Sequence, residues 1–161
     1  MSKKRPDGTI IERGCKVIRL EMEALRGQLD QLGDPFVKAV KMILQQDGRV
    51  VTSGMGKAGL IAQKVAATFA STGTPSFFIH PAEAMHGDLG MVKGADVALL
   101  FSKSGETEEI CRLLPHLARL EVFRIAITCM NSTLARGSDL VLRLGNIREA
   151  CPLHLAPSAS T

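Results

Sequence analysis

The stretch of this chain whose residue types can do chemistry is Ser102-Lys103-Ser104-Gly105-Glu106-Thr107. Three hydroxyls and a glycine backbone stand between an apolar run, residues 96–101, and an amphipathic one, residues 108–120. That order reads as strand, polar loop and helix start. The start of a helix presents backbone N–H groups that have no partner inside the helix. Together with the helix dipole they favour an anion. The spacing is not that of a nucleotide P-loop, and no G-x-G-x-x-G follows the first strand. The expected anion is therefore a single phosphate on a small molecule, not a nucleotide's phosphate chain. The alternative is an ordinary helix cap with serines in it.

A second stretch, His80-Pro81-Ala82-Glu83-Ala84-Met85-His86-Gly87-Asp88-Leu89-Gly90, holds two histidines, two acids and two glycines in eleven residues. A single histidine is more often structural than catalytic. Two beside acids, near a phosphate-type loop, fit a site where protons move.

The elements that must position these residues follow from periodicity and punctuation. Apolar residues at Cys15, Ile18, Met22, Leu25 and Leu29 fall near helical spacing. Gly33-Asp34-Pro35 ends that helix, and Pro35 suits the first turn of a second over 36–46. Strands are expected at 49–53, 76–79, 95–101, 123–128 and 140–144, with helices at 58–70, 106–120 and 132–136. Strands alternate with helices and are nearly continuous apolar runs, so the sheet is expected to be parallel and covered on both faces. Ligands of such sheets bind beyond the carboxyl ends of the strands, where Ser53, Ser102 and Thr128 fall.

Composition narrows the function. The 161 residues, 45% of them hydrophobic, suffice for one domain with a real core. Aromatic content is 4% with no Trp or Tyr, which argues against nucleic-acid stacking platforms. The formal charge of +4 is spread out except for Lys3-Lys4-Arg5, part of an expected disordered tip over residues 1–8. Cys15, Cys111, Cys129 and Cys151 form no C-x-x-C pair, and the reading expects reduced, mostly buried thiols. No apolar stretch reaches membrane-spanning length and no signal-peptide core is present, so a cytoplasmic protein with no membrane partner is expected.

Several segments together carry a resemblance. They are Gly54-Met55-Gly56-Lys57, residues 67–78, residues 80–92, Ser102 through Thr107, Glu149-Ala150-Cys151-Pro152-Leu153 and Ala156-Pro157-Ser158. They resemble the sugar isomerase (SIS) domain, and within it the D-arabinose 5-phosphate isomerases, over nearly the whole chain from about residue 10. The Ser-x-Ser-Gly-Glu-Thr loop marks the superfamily; the histidine-rich and Glu-Ala-Cys-Pro segments are specific to the branch. The resemblance implies a flavodoxin-like three-layer αβα sandwich with a five-stranded parallel sheet, one SIS domain over 9–161. The implied reaction interconverts D-ribulose 5-phosphate and D-arabinose 5-phosphate, supplying 3-deoxy-D-manno-octulosonate for lipopolysaccharide, without a cofactor. A non-catalytic sugar-phosphate-binding module is the competing reading.

By the same resemblance, Lys57, Glu109 and Glu149 match catalytic positions. Lys57 is the electrostatic stabiliser and either glutamate is the base. His86 is expected to contact sugar hydroxyls or assist ring opening. Ser53, Gly54, Ser102, Ser104, Gly105, Thr107 and Ser158 are expected to hold the phosphate, with Gly73 and Thr74 lining the same pocket. His80 matches a position linked to inhibitory metal binding. Read without the resemblance, Lys57 is a solvated helix-start residue and Glu109 offsets a helix dipole. The family usually has an uncharged polar residue where this chain has Lys103. Its members continue past the position of Thr161 with a helix, a further histidine and two regulatory domains, so the chain is expected to be either an excised domain or a naturally shortened protein. A homotetramer is expected, with a small sugar phosphate as ligand.

Overall fold

The computed structural model describes residues 7–145, 147–153 and 156–160. Where one domain was expected, the chain divides into two compact units: Leu32–Leu144, and the described residues on either side of it. Cys15 is exposed and the other three cysteines are half-buried, which corrects the expectation of mostly buried thiols.

In the larger unit five strands form one parallel sheet: β1 (Val50–Gly54), β2 (Ser76–Phe78), β3 (Val97–Phe101), β4 (Phe123–Thr128) and β5 (Leu140–Arg143), in the order β2-β1-β3-β4-β5. All five residues of β1 and of β3 are buried, as strands covered on both faces must be. Successive side chains feed opposite layers. Val51, Ala98, Leu100 and Ala126 join one cluster, while Val50, Val97, Leu99 and Ile125 join the other.

The second and third helices, α2 (Asp34–Gln45) and α3 (Gly56–Ser71), supply the latter layer through Ala39, Ile43, Ala62 and Val65. The α3 face that meets the sheet is small: Gly59, Ala62 and Ala66 are buried. The helix therefore lies close enough for the Thr52 hydroxyl to donate to the Ala62 carbonyl at 2.8 Å. The opposite layer is α5 (Glu108–Arg119), which buries Ile110, Leu113, Leu114 and Leu117 at the i, i+3, i+4, i+7 spacing of an amphipathic helix. The histidine-rich segment, read only as polar, folds into a one-turn helix α4 (Pro81–Ala84) and a 3₁₀ turn (Asp88–Met91). A further one-turn helix, α6 (Thr133–Arg136), follows β4.

The amino ends of the strands are closed by ion pairs. Asp96 accepts from the Arg49 backbone at 2.8 Å and from its side chain at 2.9 and 3.2 Å, and from the Lys93 backbone at 2.9 Å. Burial alone would raise the Asp96 carboxyl. The Arg49 side chain and the two backbone N–H groups outweigh it and hold Asp96 below its usual value. The Arg124 fork embraces Asp139 at 2.8 and 2.9 Å, and that hydrogen-bonded charge likewise holds Asp139 low against its partial burial.

In the smaller unit the helix α1 (Asp7–Leu29) starts two residues inside the stretch expected to be a loose tip; residues 1–6 lie outside the described residues. The described stretch after residue 144 has no helix or strand.

Candidate functional site

The strand order has one reversal. From β1 the chain moves to β2 on one side, and from β3 to β4 on the other. The loops leaving β1 and β3 therefore diverge, and a crevice opens between them at the carboxyl ends. Gly54 and Phe101 are register partners, so the loops that follow them, Met55-Gly56-Lys57 and Ser102–Thr107, start side by side. The hydroxyl loop singled out by residue type thus starts beside the loop after β1, at the place where open sheets of this kind bind ligands.

The first loop is built on close backbone approach. A Cβ at Gly54 would lie 2.8 Å from the Ala58 oxygen, and one at Gly59 would lie 2.6 Å from the Gly54 oxygen. No side chain caps α3, and no acid occupies its first turn. Lys57 stands in that turn, exposed, where the dipole disfavours a cation. Among the described residues its ammonium has no hydrogen-bond or ion-pair partner. An anion in the crevice would relieve both features.

The second loop is held from within. Ser102 is buried; its hydroxyl shares a 2.8 Å hydrogen bond with the Thr107 hydroxyl and accepts from the Gly105 N–H at 3.1 Å. Gly105 sits at φ +68°, and a Cβ there would fall 2.1 Å from Ser132 Oγ. Its carbonyl accepts from Leu134 N–H at 3.0 Å and from Cys111 Sγ at 3.4 Å. Burial first, and the Glu106 charge second, push the Cys111 thiol up, so it stays neutral at pH 7. Glu106, which sequence reasoning left without a role, accepts from Thr133 N–H at 2.7 Å. It thereby caps α6 and ties the loop to the next one. That bond, with the Arg136 charge, holds the Glu106 carboxyl below its usual value. Ser132 caps α6 as well, accepting from Ala135 N–H at 3.1 Å; a serine three residues before Ala135 and at the head of Thr-Leu-Ala was the available signal.

What the loop offers outward is the exposed Ser104 hydroxyl, the Thr107 hydroxyl, and the start of α5, which no side chain caps. Glu109 stands half-buried in the first turn of α5. Unlike Glu108, which pairs with Arg112 at 2.5 Å, it has no partner among the described residues.

Other expected site residues fall differently. Ser53 is fully buried and its hydroxyl donates to the Ile79 carbonyl at 2.8 Å, because a buried hydroxyl must find an acceptor. It braces the segment after β2; the expected phosphate contact is corrected to this role. His80 follows at that same end. Its ring meets Phe78 edge-on at 6.4 Å, and its Nδ1 is buried without a partner. His86 is exposed on the turn after α4. Among the described residues no three His, Cys, Asp or Glu side chains gather as metal ligands.

Gly73 and Thr74 precede β2, at the amino end of the strands, and Gly73 borders a concavity of about 830 Å³ there with Arg49, Pro75 and Lys93. Within one chain they do not join the loop after β3, which corrects their placement in that pocket. The resemblance places them in the phosphate pocket, but α3 runs antiparallel to the strands and delivers them to the opposite end of the sheet.

In the smaller unit, Glu149 and Ser158 are bound to each other. Glu149 Oε2 accepts from the Ser158 N–H at 2.7 Å, the Ser158 hydroxyl at 3.0 Å and the Ala159 N–H at 3.1 Å, while Oε1 accepts from the Ser160 hydroxyl. Ser158 Oγ also accepts from the Ala150 N–H at 2.8 Å. The carboxylate organises its own segment, and Ser160 is a partner that sequence reasoning missed.

A five-stranded parallel sheet with helices on both faces and a hydroxyl-rich loop at its reversal is an α/β domain of the doubly wound class. Residues 42–161 match the SIS domain model, and the chain belongs to the SIS domain family. It is 50% identical over 152 residues to the arabinose 5-phosphate isomerase KdsD of Pseudomonas aeruginosa, covering 94% of this chain and 47% of that protein. It is 45% identical over 153 residues to the arabinose 5-phosphate isomerase GutQ of Salmonella typhimurium, covering 94% and 48%. The chain thus spans about half the length of these curated relatives. Among solved structures it superposes on c3406 of E. coli CFT073, determined in complex with arabinose 5-phosphate, with a TM-score of 0.91 at 42% identity over 97% of this chain and 84% of that one. A sugar-phosphate isomerase fold from Listeria monocytogenes gives 0.92 at 26% identity, over 97% and 83%. Among the described residues no helix is long and apolar enough to cross a membrane.

Proposed function

We propose that this chain is the catalytic SIS domain of an aldose–ketose isomerase that interconverts D-ribulose 5-phosphate and D-arabinose 5-phosphate. The observation that supports it best is the pairing, at one crevice, of a braced hydroxyl loop with an unpartnered cation, Lys57, and an unpartnered carboxylate, Glu109. The first suits a phosphate and the other two suit enolisation. The relatives named arabinose 5-phosphate isomerase support the substrate.

In this reading Ser104, Thr107 and the N–H groups at the start of α5 bind the phosphate and fix the sugar's far end. Glu109 takes a proton from C1 of the ketose, and the C1–H electrons form the enediolate double bond. Lys57 stabilises the oxygen that gains charge. The proton returns at C2, the hydroxyl proton moves between the two oxygens, and C1 becomes the aldehyde. Glu109 is assigned as base because its carboxylate is free, whereas Glu149 is ringed by donors of its own segment. His86 assists at the sugar hydroxyls, and His80, six residues earlier, is the position where the resemblance puts an inhibitory metal. No cofactor enters these steps. The protein works in the cytoplasm as a homotetramer, and its product supplies 3-deoxy-D-manno-octulosonate for lipopolysaccharide.

Coupled detection of ribulose 5-phosphate formed from arabinose 5-phosphate by the purified chain tests the reading. Turnover that disappears in Lys57→Met supports it. Tight binding of arabinose 5-phosphate with no turnover would instead make the chain a sugar-phosphate-binding module.

A further inference from the structure

A phosphate is held only as well as the hydroxyls that grip it are aimed. Ser102 and Thr107 are fixed on each other. Ser104 faces solvent, and among the described residues its oxygen receives one bond, from the Glu106 N–H at 3.2 Å. That bond occupies a lone pair of Ser104 Oγ and leaves its O–H free to donate outward. The aim of the Ser104 hydroxyl is therefore set by where the Glu106 backbone sits. The Glu106 backbone is set in turn by its side chain. Glu106 is exposed, yet its Oε1 accepts from the Thr133 N–H at 2.7 Å, on the loop after β4. That partner is itself braced. Arg136 donates to the Asn131 carbonyl at 2.8 Å and to the Thr133 hydroxyl at 3.0 Å. The buried Leu134 donates its N–H to the Gly105 carbonyl at 3.0 Å.

We propose that Glu106 is a positioning residue for the phosphate: held by Thr133, it aims the Ser104 hydroxyl and keeps its own charge turned away from the bound anion. The inference rests on the reading of Ser102–Thr107 as the phosphate loop, and it assigns a role to the one acid in that loop. A carboxylate among anion-binding hydroxyls is unfavourable where it is free to approach the anion, since like charges repel. Tied to the start of α6, the same carboxylate becomes the link that orders the loop before the ligand arrives. The bond to Thr133 thus acts twice, through the backbone on Ser104 and through space on the charge at the site. Glu106 touches no substrate atom in this scheme and acts through Ser104.

The test compares the chain with Glu106→Ala, Glu106→Gln and Thr133→Pro by calorimetry, with arabinose 5-phosphate and with inorganic phosphate as ligands. Proline suits position 133: it opens α6 and follows Ser132, whose ψ of 165° is the extended conformation a following proline requires. Glu106→Ala is expected to weaken both ligands by roughly tenfold, the worth of one well-placed hydrogen bond. Thr133→Pro, which frees the carboxylate without removing its charge, is expected to weaken them further. Glu106→Gln keeps an oxygen acceptor for Thr133 and should stay within about threefold of the parent. In turnover the loss should fall on KM, with kcat held within about twofold. A merely structural role would lower kcat and the urea midpoint together and leave the phosphate affinity of the folded chain alone. Unchanged phosphate affinity in Glu106→Ala and Thr133→Pro, or a loss in Glu106→Gln as large as in Glu106→Ala, overturns the positioning role and leaves the isomerase reading standing. A parent that binds neither ligand overturns both.

Discussion

The two ends of the sheet are made of the same strands and do opposite work. At the amino ends charge is neutralised internally: Asp96 is 2% exposed and receives four hydrogen bonds, and Asp139 is clasped by Arg124. At the carboxyl ends, hydroxyls and glycines set the backbone, two helices begin without side-chain caps, and Lys57 and Glu109 have no partner among the described residues. The lesson is that the buried charge of the larger unit is paired at the amino ends, while hydroxyls and uncapped helix starts gather at the carboxyl ends, where an anion suits them. Substitutions at the two ends should therefore separate stability from binding.

The largest effect is expected where backbone geometry and packing coincide. Gly105→Ala must place a Cβ 2.1 Å from Ser132 Oγ at φ +68°. It should cost about 3 kcal/mol or more in urea unfolding, from strain plus overpacking, and abolish sugar-phosphate binding. An unchanged midpoint would mean that the loop after β3 is not held as described.

At the other end, Asp96→Asn should lower stability by about 2 kcal/mol, because it strips a buried, hydrogen-bonded charge of its pairing with Arg49. Affinity for the sugar phosphate should stay put. The sign with pH follows from the depressed Asp96 carboxyl. Its contribution is complete above the unfolded value of 3.8 and is lost as pH falls through the lower folded value. Urea titrations from about pH 5 down to about pH 2.5 should show a steeper loss in the parent than in Asp96→Asn. Parallel curves would remove Asp96 from the account.

A smaller and more selective effect is expected from Ser104→Ala. Its hydroxyl is exposed and, among the described residues, accepts a 3.2 Å contact from Glu106 N–H alone. The fold should be untouched, and calorimetry should show sugar-phosphate affinity reduced by roughly 1.5–3 kcal/mol, the range of a charge-assisted hydrogen bond. Unchanged affinity would take Ser104 out of the site.

Much of this contrast was legible in the residues. The strands are apolar runs bounded by Gly, Pro and Asp, and the helix of Ile110, Leu113, Leu114 and Leu117 announces its buried face by spacing alone. The loop Ser102–Thr107 could be placed because strand, hydroxyls and amphipathic run follow one another directly. What residue type does not encode is direction. Ser53 and Ser104 are both serines at strand ends, yet one hydroxyl turns into Ile79 and the other to solvent. Non-local pairing was equally hidden: the bonds from Thr133 to Glu106 and from residues 158–160 to Glu149 depend on chain paths that no local pattern specifies. The apolar stripe of α1 was visible, but its exposure was not, because a buried face and an interface use the same residues.

The central claim, that the carboxyl-end crevice carries proton transfer, is tested most directly by exchange of the sugar's transferable hydrogen with deuterated water. The parent chain, Glu109→Gln and Asp96→Asn would be incubated with arabinose 5-phosphate and followed by NMR. The account predicts exchange in the parent and in Asp96→Asn, and a loss of about 10²–10⁴-fold in Glu109→Gln with sugar-phosphate affinity nearly intact. Undiminished exchange in Glu109→Gln would contradict it.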